Sequence, residues 1–208
     1  MKGKTRRDSS QLSARFGTIF NFISIVMFVL GVSAASSCSK SETQSVRANC
    51  LTDTKLVDQN GKTVALDSLK GKPLLVDFIY TSCPGPCLME TAKFANVALR
   101  LGDKLGSKVV LVSITVDPEH DGPKQLHEYA EQQGADASGW YFLTGSPALV
   151  DRALGGFKIL REKEPDGSVG HIVDMVLVDA NGAEVHEYNG EVAKAQDLAR
   201  DLMNLTPG

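Results

Sequence analysis

From residue 56 onward, short and nearly unbroken apolar runs alternate with stretches whose apolar residues recur every three to four positions. Leu56-Val57 and Val64-Ala65-Leu66 flank Asn60-Gly61, and an Asn-Gly pair between apolar runs predicts a β-hairpin. The run 74–80 is apolar but for Asp77, as in a strand buried on both faces. Leu88, Ala92, Ala95, Leu99 and Leu105 fall near helical spacing and predict a helix over 86–105. Residues 108–116 form a second buried-strand pattern, 123–133 a short helix with Asp121 as its cap, and 141–143 a further strand. Ser146-Pro147 sets a cap residue before a first-turn proline, so a helix is expected from there to Leu154, stopped by Gly155-Gly156. A strand over 172–178, a turn at Asn181-Gly182, a return strand over 185–188 and a helix over 192–205 complete the pattern.

Strands alternating with helices predict an α/β domain with a mainly parallel, covered sheet. The late hairpin adds antiparallel strands at one side. The element order matches a thioredoxin-like layout carrying an N-terminal β-hairpin and an inserted strand–helix piece, over residues 53–208.

The first fifth of the chain reads differently. Residues 1–15 hold Lys2, Lys4, Arg6, Arg7 and Arg15 against Asp8 alone, a net charge of +4. Residues 16–32 are apolar except for Thr18, Asn21 and Ser24, and small residues follow up to Ser37. Basic, apolar and small-residue regions in that order make residues 1–37 a secretory signal or an uncleaved membrane anchor. Cys38 stands where a lipoprotein signal places its lipidated cysteine, with Ala35 in place of the usual leucine three residues earlier. The polar stretch 38–52, which contains Cys50, reads as a linker from membrane to domain, with Cys50 a spare thiol. Each alternative puts the domain in the bacterial cell envelope, at the inner membrane facing the periplasm. The remainder of the 208-residue chain carries −7, which argues against a nucleic-acid partner, because phosphate binding needs a basic surface. Four cysteines are too few for a disulfide scaffold.

The chemistry concentrates in Thr81-Ser82-Cys83-Pro84-Gly85-Pro86-Cys87, on the turn between the strand 74–80 and the helix that follows. Two cysteines at C-x3-C there lie close enough to share one ion or to form one disulfide. The prolines stiffen the turn, and the helix N-terminus should favour a thiolate at Cys87. An inert structural disulfide is the alternative, although ligands of α/β sheets bind at this end of the strands. Cys-x2-Cys would point to dithiol exchange; this loop is one residue longer. Two thiolates with an imidazole suit copper(I). His171, heading the strand 172–178, can face the loop, whereas His120, His127 and His186 read as solvated surface histidines.

With these motifs the sequence resembles the Sco/SenC family of copper chaperones. The resemblance rests on Tyr80-Thr81-Ser82-Cys83-Pro84-x-x-Cys87, then 113–121 (SITVDPEHD), then 140–145 (WYFLTG), then His171 leading a strand that ends in Asn181-Gly182. It implies a membrane-tethered thioredoxin-like domain binding copper, Cu(I) favoured and Cu(II) accessible, through Cys83, Cys87 and His171. It also implies a copper donor protein upstream, and downstream the CuA site of cytochrome c oxidase subunit II or its assembly factors. The role there is delivery of copper or reduction of that site's cysteines. An extracytoplasmic thiol–disulfide oxidoreductase using the Cys83/Cys87 pair is the alternative. The chain departs from the family at Gly170, where Asp commonly precedes the metal histidine, and at Leu88, where Pro commonly follows the second cysteine.

Overall fold

The structure is a computed structural model, and it describes residues 49–83, 85–135, 138–163, 169–170 and 174–206. The N-terminal hairpin forms as expected: β1 (Lys55–Asp58) pairs with β2 (Thr63–Ala65). The Asp58 carboxylate accepts from the backbone N–H of Asn60 and Lys62 at 2.9 and 2.8 Å, which closes the turn. Then come β3 (Leu74–Ile79), α1 (Pro86–Leu101), β4 (Val110–Thr115), α2 (Pro123–Gln132), β5 (Trp140–Thr144) and α3 (Pro147–Gly156). Two short strands, β6 (Glu162–Lys163) and β7 (Val169–Gly170), precede β8 (Asp174–Val178), β9 (Glu184–Asn189) and α4 (Ala195–Asn204). Helix α1 ends four residues short of the predicted boundary because Gly102 takes φ +54°, a left-handed conformation that closes the helix.

The sheet runs β2-β1-β5-β4-β3-β8-β9. It is mixed rather than mainly parallel: among the described strands β3–β4 and β4–β5 pair in parallel and the other pairs of the sheet are antiparallel. Hairpins occupy both edges, and strands joined by tight turns must run antiparallel. The parallel centre, β3 and β4, is buried at every position, so both faces are covered. On one face Trp140 stacks on Phe142 at 5.1 Å between ring centroids and meets Phe94 of α1 at 5.8 Å, while Phe142 meets Tyr129 of α2. On the other, Phe78 packs edge-on against Phe157 at the end of α3. Successive strand side chains alternate between faces, so Asp77, next to Phe78, points towards α1. This is the thioredoxin-like α/β fold with an added N-terminal hairpin.

Residues 49–51, within the stretch read as linker, are part of the packed body. Asn49 bridges Ala183, the Cys50 N–H donates to the Gly182 carbonyl at 2.9 Å, and Cys50 and Leu51 are buried. Gly156 allows this approach: a Cβ there would sit 2.4 Å from the Cys50 carbonyl oxygen. Burial pushes the Cys50 thiol up to about 11, so it is an inert core thiol. Among the described residues no helix is long and apolar enough to cross a membrane.

Candidate metal centre

Strand β3 delivers the chain to the centre. Its last residue is followed by Tyr80, whose carbonyl accepts from the Cys83 N–H at 3.2 Å, so the chain turns sharply after the strand. Helix α1 then starts with no side-chain cap on Gly85. The Cys83 sulfur fills that role, accepting the Cys87 N–H at 3.4 Å. A helix N-terminus leaves its first N–H groups without intrahelical partners, and a sulfur placed there is favoured as an anion.

Both thiols are free and buried, Cys83 at 7 % and Cys87 at 0 % exposure. Their chemistry is unequal, and opposite to the expectation from sequence. Burial works against a thiolate at Cys83. It is outweighed by hydrogen bonds from the Cys87 thiol, the Gly85 and Cys87 N–H groups and the Tyr80 hydroxyl, which together bring Cys83 below the usual thiol range. Cys87 is pushed far above that range, first by burial and then by donating its proton to Cys83. The helix end therefore serves Cys83, because Cys87 lies inside the first turn with its sulfur turned into the core. Tyr80 is pushed up to about 12 by burial and by the charge of Cys83. It stays protonated and able to donate.

The turn is anchored from behind by Asp121. Its carboxylate accepts from the Thr81 N–H at 3.0 Å, the Thr81 hydroxyl at 2.5 Å and the Thr115 hydroxyl at 2.6 Å. Asp121 is thus not the cap of α2; the chain enters that helix through Gly122, and the carboxylate turns inward to join the ends of β3 and β4. Arg161, just before β6, reaches Asp151 of α3 at 2.6 Å and Glu119 at 2.9 Å. It ties the β6–β7 arm to the loop after β4. Neither role had a local signature in the sequence. The one usable signal was that Thr81 and Thr115 stand at or just past the ends of two neighbouring buried strands.

His171 lies outside the described residues. The residues before it do reach the centre: Val169 is buried and its backbone hydrogen-bonds to the Tyr80 hydroxyl. His120 is 71 % exposed and pairs with Asp117 at 2.7 Å. His127 lies 3.5 Å from Glu131 on the outer face of α2, and His186 stacks edge-on against Tyr188 on β9. Among the described residues no group of three or more His, Cys, Asp or Glu side chains could hold a metal ion. They contribute two neighbouring sulfurs, Cys83 and Cys87. Paired soft sulfurs, one disposed to ionise, fit a copper(I) ion better than a hard cation.

The family model SCO1/SenC matches residues 42–206. The SCO1 protein homolog of Bacillus subtilis is 37% identical over 149 residues, covering 70% of this chain and 77% of the relative. The copper-bound structure of Bradyrhizobium japonicum ScoI is 30% identical with a TM-score of 0.65, covering 73% of this chain and 96% of that one. The structure of BsSco, in which a disulfide switch was identified, is 33% identical with a TM-score of 0.66, covering 77% and 94%. BsSco is described as a member of the Sco family of cytochrome c oxidase assembly proteins. The match spans the whole domain, from before the hairpin to the end of α4, and on this ground the chain belongs to the SCO1/SenC family.

Proposed function

We propose that this protein is a membrane-tethered copper carrier for assembly of cytochrome c oxidase. Cys83 and Cys87 hold copper(I) as thiolates and His171 adds an imidazole. The cargo passes by ligand exchange to the CuA site of subunit II, or the dithiol reduces that site's cysteines. The observation that carries the reading is the pair of free, buried thiols at the head of α1, Cys83 already disposed to ionise. The copper-bound Bradyrhizobium relative supports copper as the cargo. The charged and apolar segments of residues 1–37 support export and a tether, with residues 38–48 as the spacer to the packed domain. The metal must meet reduced cysteines, because only thiolates ligate.

A second reading has its own observation. One thiol lowered and its neighbour raised is the division of labour a thiol–disulfide reductase uses, with Cys83 attacking and Cys87 resolving. The disulfide switch of BsSco points the same way. His171→Ala separates the two. For a copper carrier, two thiolates remain to hold copper(I), so the variant keeps part of that binding and loses most copper(II) binding and most delivery. For a pure reductase, the exchange rate stays near wild type and no copper co-purifies with either protein. Anaerobic competition against a copper(I) chelator, copper(II) titration and a disulfide-exchange assay on the same samples read all three.

A further inference from the structure

The end of the sheet opposite the dithiol is basic, in a chain whose net charge is −3. Four connecting segments meet there: 59–62 of the first hairpin, 66–73 before β3, 102–109 before β4 and 179–183 between β8 and β9. The register brings them together. Leu74 pairs with both Val110 and Val178, and the Gln59 amide donates to the Trp140 carbonyl at the head of β5. The four segments carry Lys62, Lys70, Lys72, Lys104 and Lys108 against Asp67, Asp103 and Asp179. Lys62, Lys70, Lys104 and Lys108 are exposed; Lys72 turns in, and its ammonium donates to the Gly106 carbonyl, joining two of the segments. Asp179 is turned into its own loop, accepting the Asn181 and Ala183 N–H groups at 2.9 Å. At the dithiol end the sign reverses: segment 116–122 holds Asp117, Glu119 and Asp121 and neither lysine nor arginine.

The chain enters the domain at this same end. Asn49 bridges Ala183, and a Cβ at Gly182 would lie 2.7 Å from the Asn49 Oδ1 and 2.9 Å from the Lys70 Cε. The entering backbone and Lys70 therefore lie side by side. The eleven residues 38–48 reach at most about 40 Å when fully extended. A domain tethered by them stays close to the lipid and presents its lysine end to it.

We propose that this lysine face is a docking surface for anionic lipid headgroups, which seats the domain on the membrane with the dithiol directed away from it. The inference rests on the reading of residues 1–37 as a membrane-targeting segment and is independent of the copper chemistry. Lysine ammonium groups are point charges with three donors each, so they hold phosphate headgroups without a shaped pocket. Each lysine near an anionic surface adds about fivefold to binding. An acidic protein would match the charge as well, but the membrane is what the chain's own attachment holds at this face. The six residues of β3 keep the Cys83 turn about 20 Å from the lysine face, clear of the lipid.

The test uses the full chain, reconstituted into vesicles of phosphatidylcholine alone or with about a third phosphatidylglycerol, both containing a dansyl-labelled lipid. Trp140, the single tryptophan, heads β5 at the lysine end, so energy transfer from its indole to the dansyl groups reads how closely that face sits on the lipid. Transfer should be higher in the anionic vesicles and fall to the neutral level in about 1 M salt, where the Debye length is about 3 Å. Lys70→Gln should lower the ratio of docked to free domain about fivefold. Lys62→Gln, Lys70→Gln, Lys104→Gln and Lys108→Gln combined should bring transfer down to the neutral level. Lys124→Gln with Lys194→Gln, two exposed lysines of the opposite end, should match wild type. Equal transfer in the two kinds of vesicle, or a combined variant that matches wild type, overturns the inference alone and leaves an acidic protein as the occupant. Flotation of the same samples reads the tether. A chain that floats with neither vesicle overturns the tether reading and the inference together. Flotation with the anionic vesicles alone, lost in the combined variant, overturns the tether and upholds the lysine face. Melting of each variant at the wild-type temperature shows that lost transfer is lost docking.

Discussion

Exchange of either Cys83 or Cys87 for serine is expected to abolish stoichiometric copper(I) binding, with a loss of affinity of about a thousandfold or more. Two soft sulfurs supply most of the attraction for a soft cation. A serine hydroxyl is a hard ligand and does not ionise near neutrality. Metal–thiolate sites bind with of order 10 kcal/mol in total, so removing one of two sulfurs costs about 4 kcal/mol. The two variants should differ in a second readout. Cys87→Ser removes the thiol donor to Cys83 but leaves the Gly85 and residue-87 N–H groups and the Tyr80 hydroxyl pointing at that sulfur. Cys83 therefore remains the reactive thiol and should be alkylated rapidly. Cys83→Ser leaves Cys87, buried and far above the usual thiol range, and it should resist alkylation. Competition against a copper(I) chelator and mass-mapped alkylation measure the two effects. Equal alkylation rates in the two variants would contradict the assignment of the attacking sulfur.

The second large effect is on stability and lies away from the centre. Trp140→Ala should cost about 4 kcal/mol, within the range for a buried aromatic. The indole is 2 % exposed, stacks on Phe142, meets Phe94 and donates from Nε1 to the Ser113 hydroxyl at 3.0 Å. Truncation removes the packing between β5 and α1 and takes away a partner of the buried Ser113 hydroxyl. For a chain of this size the melting temperature should fall by roughly 10 °C. Calorimetry on the reduced protein checks it; a fall under about 3 °C would mean that the α1 face of the sheet tolerates the cavity.

What could be read from the sequence was local. The apolar run 74–80, broken by Asp77 alone, the Asn60-Gly61 turn and the helical spacing after Cys83 each carry their signal within a few neighbours, and all three elements form, the helix ending four residues early. The C-x3-C loop was legible for the same reason. Asp121 was misread as a helix cap, because its true partner Thr81 is forty residues away, and no window along the chain shows that pairing. Arg161 was missed for the same cause, bonding Glu119 across forty-two residues. The identity of the ionising sulfur was inverted. Helix position alone favours the cysteine inside the helix, but which sulfur meets the free N–H groups depends on the turn's geometry. Cys50 was placed in a linker because its environment is polar in sequence, while Gly156 makes room for its backbone and the Gly182 carbonyl accepts from its N–H and thiol, both far along the chain.

The central claim is that Cys83, Cys87 and His171 together hold one copper ion. X-ray absorption at the copper edge, on reduced protein loaded anaerobically with one copper(I) per chain, reads the donor set directly. The account predicts a shell of two sulfurs and one imidazole nitrogen in wild type, with the nitrogen lost and both sulfurs kept in His171→Ala. A spectrum with fewer than two sulfurs in wild type, or with the imidazole unchanged in His171→Ala, would contradict it.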